Sequence, residues 1–438
     1  MRCFCFGGRA VRRLNRAGLA VTWIAAVVLG CFSISLAAGG EPEKARDKAA
    51  LKPVSAEARR IHDAGMLFDG HNDLPWKLRM DGDMSFKVID ISTRLKTGHT
   101  DIPRLRAGGL KAQFWSVFIP SEFEHPARTV LEQIDLVRRM VARYPGDFEL
   151  ATTADEVEGA VRRGKIASLI GIEGGVAIEN DLSMIRIYRD LGVSYMTLTH
   201  GKSLDWADSA TDDPKCDGLS RFGERVVKEM NRVGMLVDLS HVSAATMTDA
   251  IRTARAPVIF SHSSAYAIAP SPRNVPDDVL KMLPANGGVV MVNFYSAFVN
   301  PEAARRSTAI HAELRKKYPD TRDMYKAMGE IYKKDPLPRG TVADVADHID
   351  HIIKLAGIDH VGIGSDFDGI ESCPEGLEDV SCYPRLTEEL LRRGRSEAEI
   401  HKILGGNVLR AFREAGAAAE RLKKTTEPEV DSPPAMKM

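Results

Sequence analysis

Short apolar runs rich in β-branched residues recur along most of the chain, separated by longer amphipathic stretches. The runs at 66–69, 113–119, 166–172, 195–199, 235–239, 258–261, 289–293 and 361–364 have the length and composition of strands. Apolar positions at spacings of three and four fall between them, as over 132–143, 182–191 and 222–233, and predict helices. Eight strands alternating with helices around one apolar core predict an α/β fold, a single (β/α)8 barrel rather than a doubly wound sheet. One stretch breaks the rhythm. Residues 300–340 are highly charged and predict a solvated helical insertion between the seventh strand and the helix before the eighth. No internal repeat is present.

The two ends are patterned differently. Arg2, Arg9, Arg12, Arg13 and Arg16 precede an apolar run at 19–36 and the small residues Ala37, Ala38, Gly39 and Gly40, the layout of an export signal over 1–38. Three fates are compatible with it: cleavage near Ala38, lipid modification at Cys31 in Val28-Leu29-Gly30-Cys31, or retention as an anchor. Each puts the protein outside the cytoplasm, periplasmic or extracellular, with any membrane attachment through the N-terminus only. Residues 39–58 read as a charged linker, 59–418 as the (β/α)8 barrel, and 419–438 as a polar, Pro-rich disordered tail without a glycolipid-anchor signal.

Composition narrows the function. Of 438 residues, 44% are hydrophobic and 27% charged, with 60 acidic and 60 basic side chains, so the chain is globular and has no electrostatic case for nucleic acid. Of six cysteines, Cys216, Cys373 and Cys382 lie outside the leader; export and short spacing predict a Cys373–Cys382 disulfide. No C-x-x-C spacing supports a thiolate metal site.

The chemistry lies at the strand ends. His71 and Asp73 follow the first strand, Glu173 the third, His200 the fourth, His241 the fifth, His262 the sixth and Asp366 the eighth. All fall at C-terminal ends, the face on which barrel enzymes build their sites. Any one alone reads blandly, as a structural histidine or a helix cap. Four of the twelve histidines and three carboxylates converging on one end do not. Imidazole with carboxylate suits Zn²⁺, with Mn²⁺ or Fe²⁺ as substitutes. The set exceeds what one tetrahedral ion with an open position needs, which points to two zinc ions per chain and to hydrolysis. By contrast, His360 sits at the opposite barrel end, and His348 and His351, beside Asp344 and Asp347, read as a solvated helix face.

At these residues the chain resembles the membrane (renal) dipeptidase family of metal-dependent amidohydrolases. The segments DGHNDLPW, QFWSVF, LIGIEGG, YMTLTH, DLSHVS, APVIFSHSSAY, RNVPDD, MVNFY and GSDFDG occur in the family's order between about 58 and 415. The resemblance implies that His71 and Asp73 bind one zinc, that Glu173 bridges both, and that His241 and His262 bind the other. His200 would polarise the scissile carbonyl. Asp366 would take the proton of a bridging hydroxide and deliver it to the leaving amine. Arg273, aided by Asn274, would hold the substrate's free carboxylate, the natural partner of a guanidinium. A homodimer is the family expectation, and dipeptides, including those with a C-terminal D-residue, the expected substrates. The insertion is longer than in the family's mammalian enzymes, so the cleft rim can differ. Two other functions remain open at this point: an amidohydrolase for N-acyl amino acids or β-lactams on the same site, and a non-catalytic binding protein.

Overall fold

The computed structural model describes residues 53–430, so the leader and the last residues of the tail lie outside the described residues. Nine parallel strands form one sheet: β1 Phe68–Asn72, β2 Ala112–Phe118, β3 Phe148–Leu150, β4 Ile166–Glu173, β5 Val193–Thr197, β6 Leu236–Asp238, β7 Ile259–Phe260, β8 Val289–Val292 and β9 Val361–Ile363. Eight of them close on themselves. β2 pairs directly with β4 from Ala112↔Ala167 to Phe118↔Glu173, and β9 returns to β1 at Ile363↔Asp69. The result is a (β/α)8 barrel with one extra strand, β3, which pairs with Ile166–Ser168 at the start of β4, before β5 joins β4 at Ile170. Three residues, two of them only half-buried, are too short for a periodic signal, and β3 was not expected.

The other strands match the expected runs with shifted ends. The largest shift matters: β1 continues to Asn72, so His71 lies within the strand. The expected run stops at Asp69, where Gly-His-Asn ends the apolar pattern, but all three residues are buried within the strand. Asn72 donates to Thr100 Oγ1 at 2.8 Å, and Gly70 leaves the space in which a Cβ would sit 2.3 Å from the Ser261 carbonyl.

One end of the barrel is packed with aromatic rings. Phe68, Phe114 and Tyr195 stack at 4.9 and 5.0 Å, with Phe412 of the helix Asn407–Leu422 against Phe114 at 6.2 Å. This filling leaves polar side chains to the strands' C-terminal ends.

The insertion forms two helices, Pro301–Lys317 and Thr321–Lys334, capped by Asn300 and Asp320, each of whose side chains accepts two backbone N–H bonds. They are not fully solvated: Leu314, Met324, Met328 and Tyr332 pack with Ala297 and Leu337 into a small core of their own.

Four expectations are corrected. The linker does not reach residue 58, because Ser55 caps a helix over Ala56–Ala64. The tail is not disordered from 419: its helix runs to Leu422, and Glu429 is held by Arg225 at 2.8 Å and through its carbonyl by Arg186 at 2.8 Å. The Cys373–Cys382 disulfide is not formed. Cys373 Sγ faces His99 Nε2 at 3.7 Å, whereas Cys382 Sγ turns to Glu378 and Asp379. His348 is not on a solvated face. Buried in the helix Val342–Ala356, it accepts the Ala265 N–H at Nδ1 and meets the Val299 carbonyl at Nε2, both at 3.0 Å. Among the described residues no helix is long and apolar enough to cross a membrane.

Candidate metal centre

The seven strand-end residues do converge. Glu173, the last residue of β4, is central, and its two oxygens face two different groups. Oε2 lies 3.3 Å from His71 Nε2, which is itself 3.2 Å from Asp73 Oδ2. Oε1 lies 2.9 Å from His241 Nε2 and 3.6 Å from both His200 and His262. Ligand atoms of His71, Asp73 and Asp366 form one close group, and those of Glu173, His200 and His241 another. Asp73 sits where a helix N-cap would, yet makes no capping bond, so its carboxylate is left for the cluster.

A neighbour fixes which ring nitrogen His262 presents. Ser261 Oγ donates to Asp238 Oδ2 at 2.6 Å and therefore accepts from His262 Nδ1 at 2.8 Å, leaving the His262 Nε2 lone pair facing inward. His71 Nδ1 is likewise engaged, by the Tyr195 hydroxyl at 2.8 Å, and His71 Nε2 is buried with no hydrogen-bond partner. Burial pushes His262 and His241 well below the usual histidine range, reinforced by Arg273 and neighbouring imidazoles, so both rings are neutral ligands. For Glu173 burial opposes the charge, but the nearby His71 and His241 rings outweigh it and hold the carboxylate ionised.

This donor set fits metal ions. Ring nitrogens of four histidines crowd against the oxygens of Glu173, Asp73 and Asp366 in a buried space, a donor set that cations suit. The surroundings keep the space open: a Cβ on Gly369 would lie 2.2 Å from Asp73 Oδ2 and 2.6 Å from Asp366 Oδ1.

Backbone strain marks the same place. His241 and Asp366 have φ of +68° and +63°, a region that costs non-glycine residues about 1–3 kcal/mol and is retained at functional sites. Asp366 Oδ2 accepts from Asn293 Nδ2 at 2.9 Å. Burial raises its carboxyl well above the usual range, helped by Asp73 and Glu173 against the pull of His71. His200 packs against Phe118 at 4.6 Å and is pushed down to about 4 by burial, against the pull of Glu173.

These groups open onto a cavity of about 610 Å³ whose wall also carries Arg273 and, from the insertion, Ser307, His311, Tyr325 and Met328. Arg273 is only 4% exposed, lies over the Phe298 ring at 5.2 Å, and has no hydrogen-bond partner for any of its three guanidinium nitrogens. Asn274 is elsewhere. Its Oδ1 accepts the Ser264 N–H at 3.0 Å and its Nδ2 donates to Ala269 and Phe298 carbonyls at 2.9 Å, so it fastens the Arg273 loop and does not line the cavity.

Sequence reasoning missed Tyr195, Asp238, Ser261 and Asn293, which orient the ligands. Only Asp238, opening the DLSH run, carried a local cue. The others are ordinary strand and strand-end residues until the barrel closes.

Residues 55–426 match the family model described as membrane dipeptidase, peptidase family M19. The chain belongs to the membrane dipeptidase family. It is therefore a metal-dependent hydrolase of dipeptides. Solved structures agree. The probable dipeptidase PvdM from Pseudomonas aeruginosa shares the fold at a TM-score of 0.72 and 24% identity, over 83% of this chain and 98% of that one. Dipeptidase AC, a metallopeptidase of family M19, matches at 26% identity and a TM-score of 0.66, covering 80% and 98% of the two chains. A metallopeptidase from Rhodobacter sphaeroides, liganded with a phosphinate mimic of the dipeptide L-Ala-D-Ala, matches at 26% identity and 0.65, covering 80% and 99%.

Proposed function

We propose that this family member is a binuclear zinc dipeptidase that accepts C-terminal D- as well as L-residues. The observation that carries the dipeptide reading is Arg273: a buried guanidinium with three unpartnered nitrogens, on the wall of a cavity that Asp73, Glu173, His241 and Asp366 also line, calls for an anionic ligand. The terminal carboxylate of a dipeptide supplies it. The D-residue reading is supported by the mimic bound to the Rhodobacter sphaeroides relative.

His71 and Asp73 would hold one ion and His241 and His262 the other, with Glu173 between them. When bound, the ions supply Lewis acidity, polarising a carbonyl and acidifying a water. The remaining steps belong to the chain. Asp366, held beside the cluster by Asn293, accepts the proton of the attacking water and returns it to the leaving amine. His200, neutral across the physiological range, donates an N–H to the developing oxyanion. Arg273 anchors the carboxylate, and Asn274 keeps the Arg273 loop in place. We further propose export, on the strength of the arginine-rich and apolar leader over 1–38. The test is metal analysis of the purified protein with hydrolysis of L-Ala-L-Ala, L-Ala-D-Ala and N-acetyl-alanine. Cleavage confined to N-acetyl-alanine would replace the dipeptidase reading with an N-acyl amino acid hydrolase.

A further inference from the structure

The cavity wall carries a second charge that the proposed mechanism does not use. Glu371, in the loop just beyond Asp366, lines the cavity together with Tyr295, Phe298, Ser307 and Met328. Its side chain is open to the cavity. Tyr295 lies close enough to Glu371 for the two side chains to act on each other's titration, the Tyr295 and Phe298 rings meet edge to face at 5.0 Å, and the Phe298 ring supports the Arg273 guanidinium at 5.2 Å. Two adjoining aromatic rings thus connect the carboxylate to the guanidinium along one wall.

Among the described residues no cationic side chain forms an ion pair with Glu371, although Lys316 and Arg315 also line the cavity. Desolvation in the wall pushes its carboxyl above the usual range, opposed by its own backbone and by the neighbouring Tyr295. The insertion's Arg315, which also lines the cavity, is already engaged by Asp212 and Asp213, at 3.7 and 2.5 Å. A carboxylate at the end of an aromatic strip is a site for an ammonium or guanidinium on an apolar stem. The stem lies along the rings and the head reaches the charge.

We propose that Glu371 selects dipeptides whose C-terminal residue is basic, with the terminal carboxylate on Arg273 and the side-chain cation on Glu371. The inference rests on the dipeptidase reading, and in particular on Arg273 as the carboxylate anchor. A lysine or arginine side chain leaving a carboxylate held at Arg273 runs over Phe298 and Tyr295. An acidic side chain meets a like charge, and a neutral one leaves Glu371 unpaired.

The test compares kcat/KM of the metal-loaded protein for Gly-Lys, Gly-norleucine, Gly-Leu and Gly-Glu, with each C-terminal residue in both configurations. Lysine and norleucine differ in the terminal cation, so their ratio reads the Glu371 contact. We expect Gly-Lys to exceed Gly-norleucine by roughly 10–100-fold, the range for a charged hydrogen-bonded pair in a partly desolvated site. Glu371→Gln should bring that ratio close to one, and Glu371→Lys should turn the preference toward Gly-Glu. A wild-type ratio near one, or a ratio that survives Glu371→Gln, overturns the inference and leaves the dipeptidase reading standing. If none of the dipeptides is cleaved, the dipeptidase reading falls, and the inference with it.

Discussion

The Nε2 atoms of His241 and His262 lie 2.8 Å apart, in rings that burial and their positive neighbours keep neutral. Both nitrogens also face the Glu173 carboxylate, at 2.9 and 3.6 Å, so the three atoms converge as ligands of one ion would. We therefore expect about two zinc ions per chain and a fall in the unfolding midpoint after chelation, since an ion that binds only the folded state stabilises it by mass action. Glu173→Gln should lower occupancy at both positions together, because a neutral amide is a poor partner for two cations. Elemental analysis checks both. One ion or fewer in a fully active enzyme would reject the binuclear site.

Asp366→Asn should lower kcat by roughly 10²–10⁴-fold with little change in KM, the usual range for loss of a general acid/base. Asparagine tolerates the positive φ found here, so the backbone is kept and the loss is chemical. Steady-state kinetics decide it. An unchanged kcat would move the proton transfer to another group, with Asp368 the first candidate.

How much of this was legible before the chain is folded follows from what each residue does. The barrel and all seven cluster residues follow from periodicity and from where polar residues stop each apolar run, because a parallel barrel repeats one local unit. Tyr195 and Ser261 act through partners far away or in the other sheet strands: Tyr195 meets His71 across the barrel, and Ser261 joins His262 to Asp238. No local pattern encodes such pairings. His348 misled for a related reason. Its neighbours Asp344, Asp347 and His351 make the segment polar, yet the helix turns His348 inward onto the backbone of Ala265 and Val299. Glu371 gave no cue at all, because its meaning depends on Tyr295 and Phe298 from the β8 side.

Arg273→Ala should reduce kcat/KM for dipeptides by about 2–5 kcal/mol, the cost of truncating one side of a buried charged pair. The matching dipeptide amides lack the charge. They should be poor substrates of the wild type and lose little more in the variant. Equal losses on acids and amides would show that Arg273 supports the loop instead of binding substrate.

The last prediction concerns acid stability. His348 is buried between Ala265 and Val299, and burial pushes its pKa down to about 4. Nδ1 must accept the Ala265 N–H, so protonation there breaks that bond and leaves a buried cation. The facing charges on its own helix, Asp344 and Asp347, favour protonation, while His351 opposes it; together they do not outweigh burial. The folded-state pKa lies below the unfolded value, so the unfolded chain binds more protons as pH falls below about 6.5. This contribution to stability is complete above that pH and is lost progressively down to about 4, where it amounts to roughly 3 kcal/mol. Other buried histidines add to the same slope, so the readout is a difference. His348→Gln should be less stable than wild type at pH 7.5 but lose less stability between pH 7.5 and 4.5. Urea midpoints across that range check it, and parallel curves for the two proteins would show that His348 does not titrate in this window.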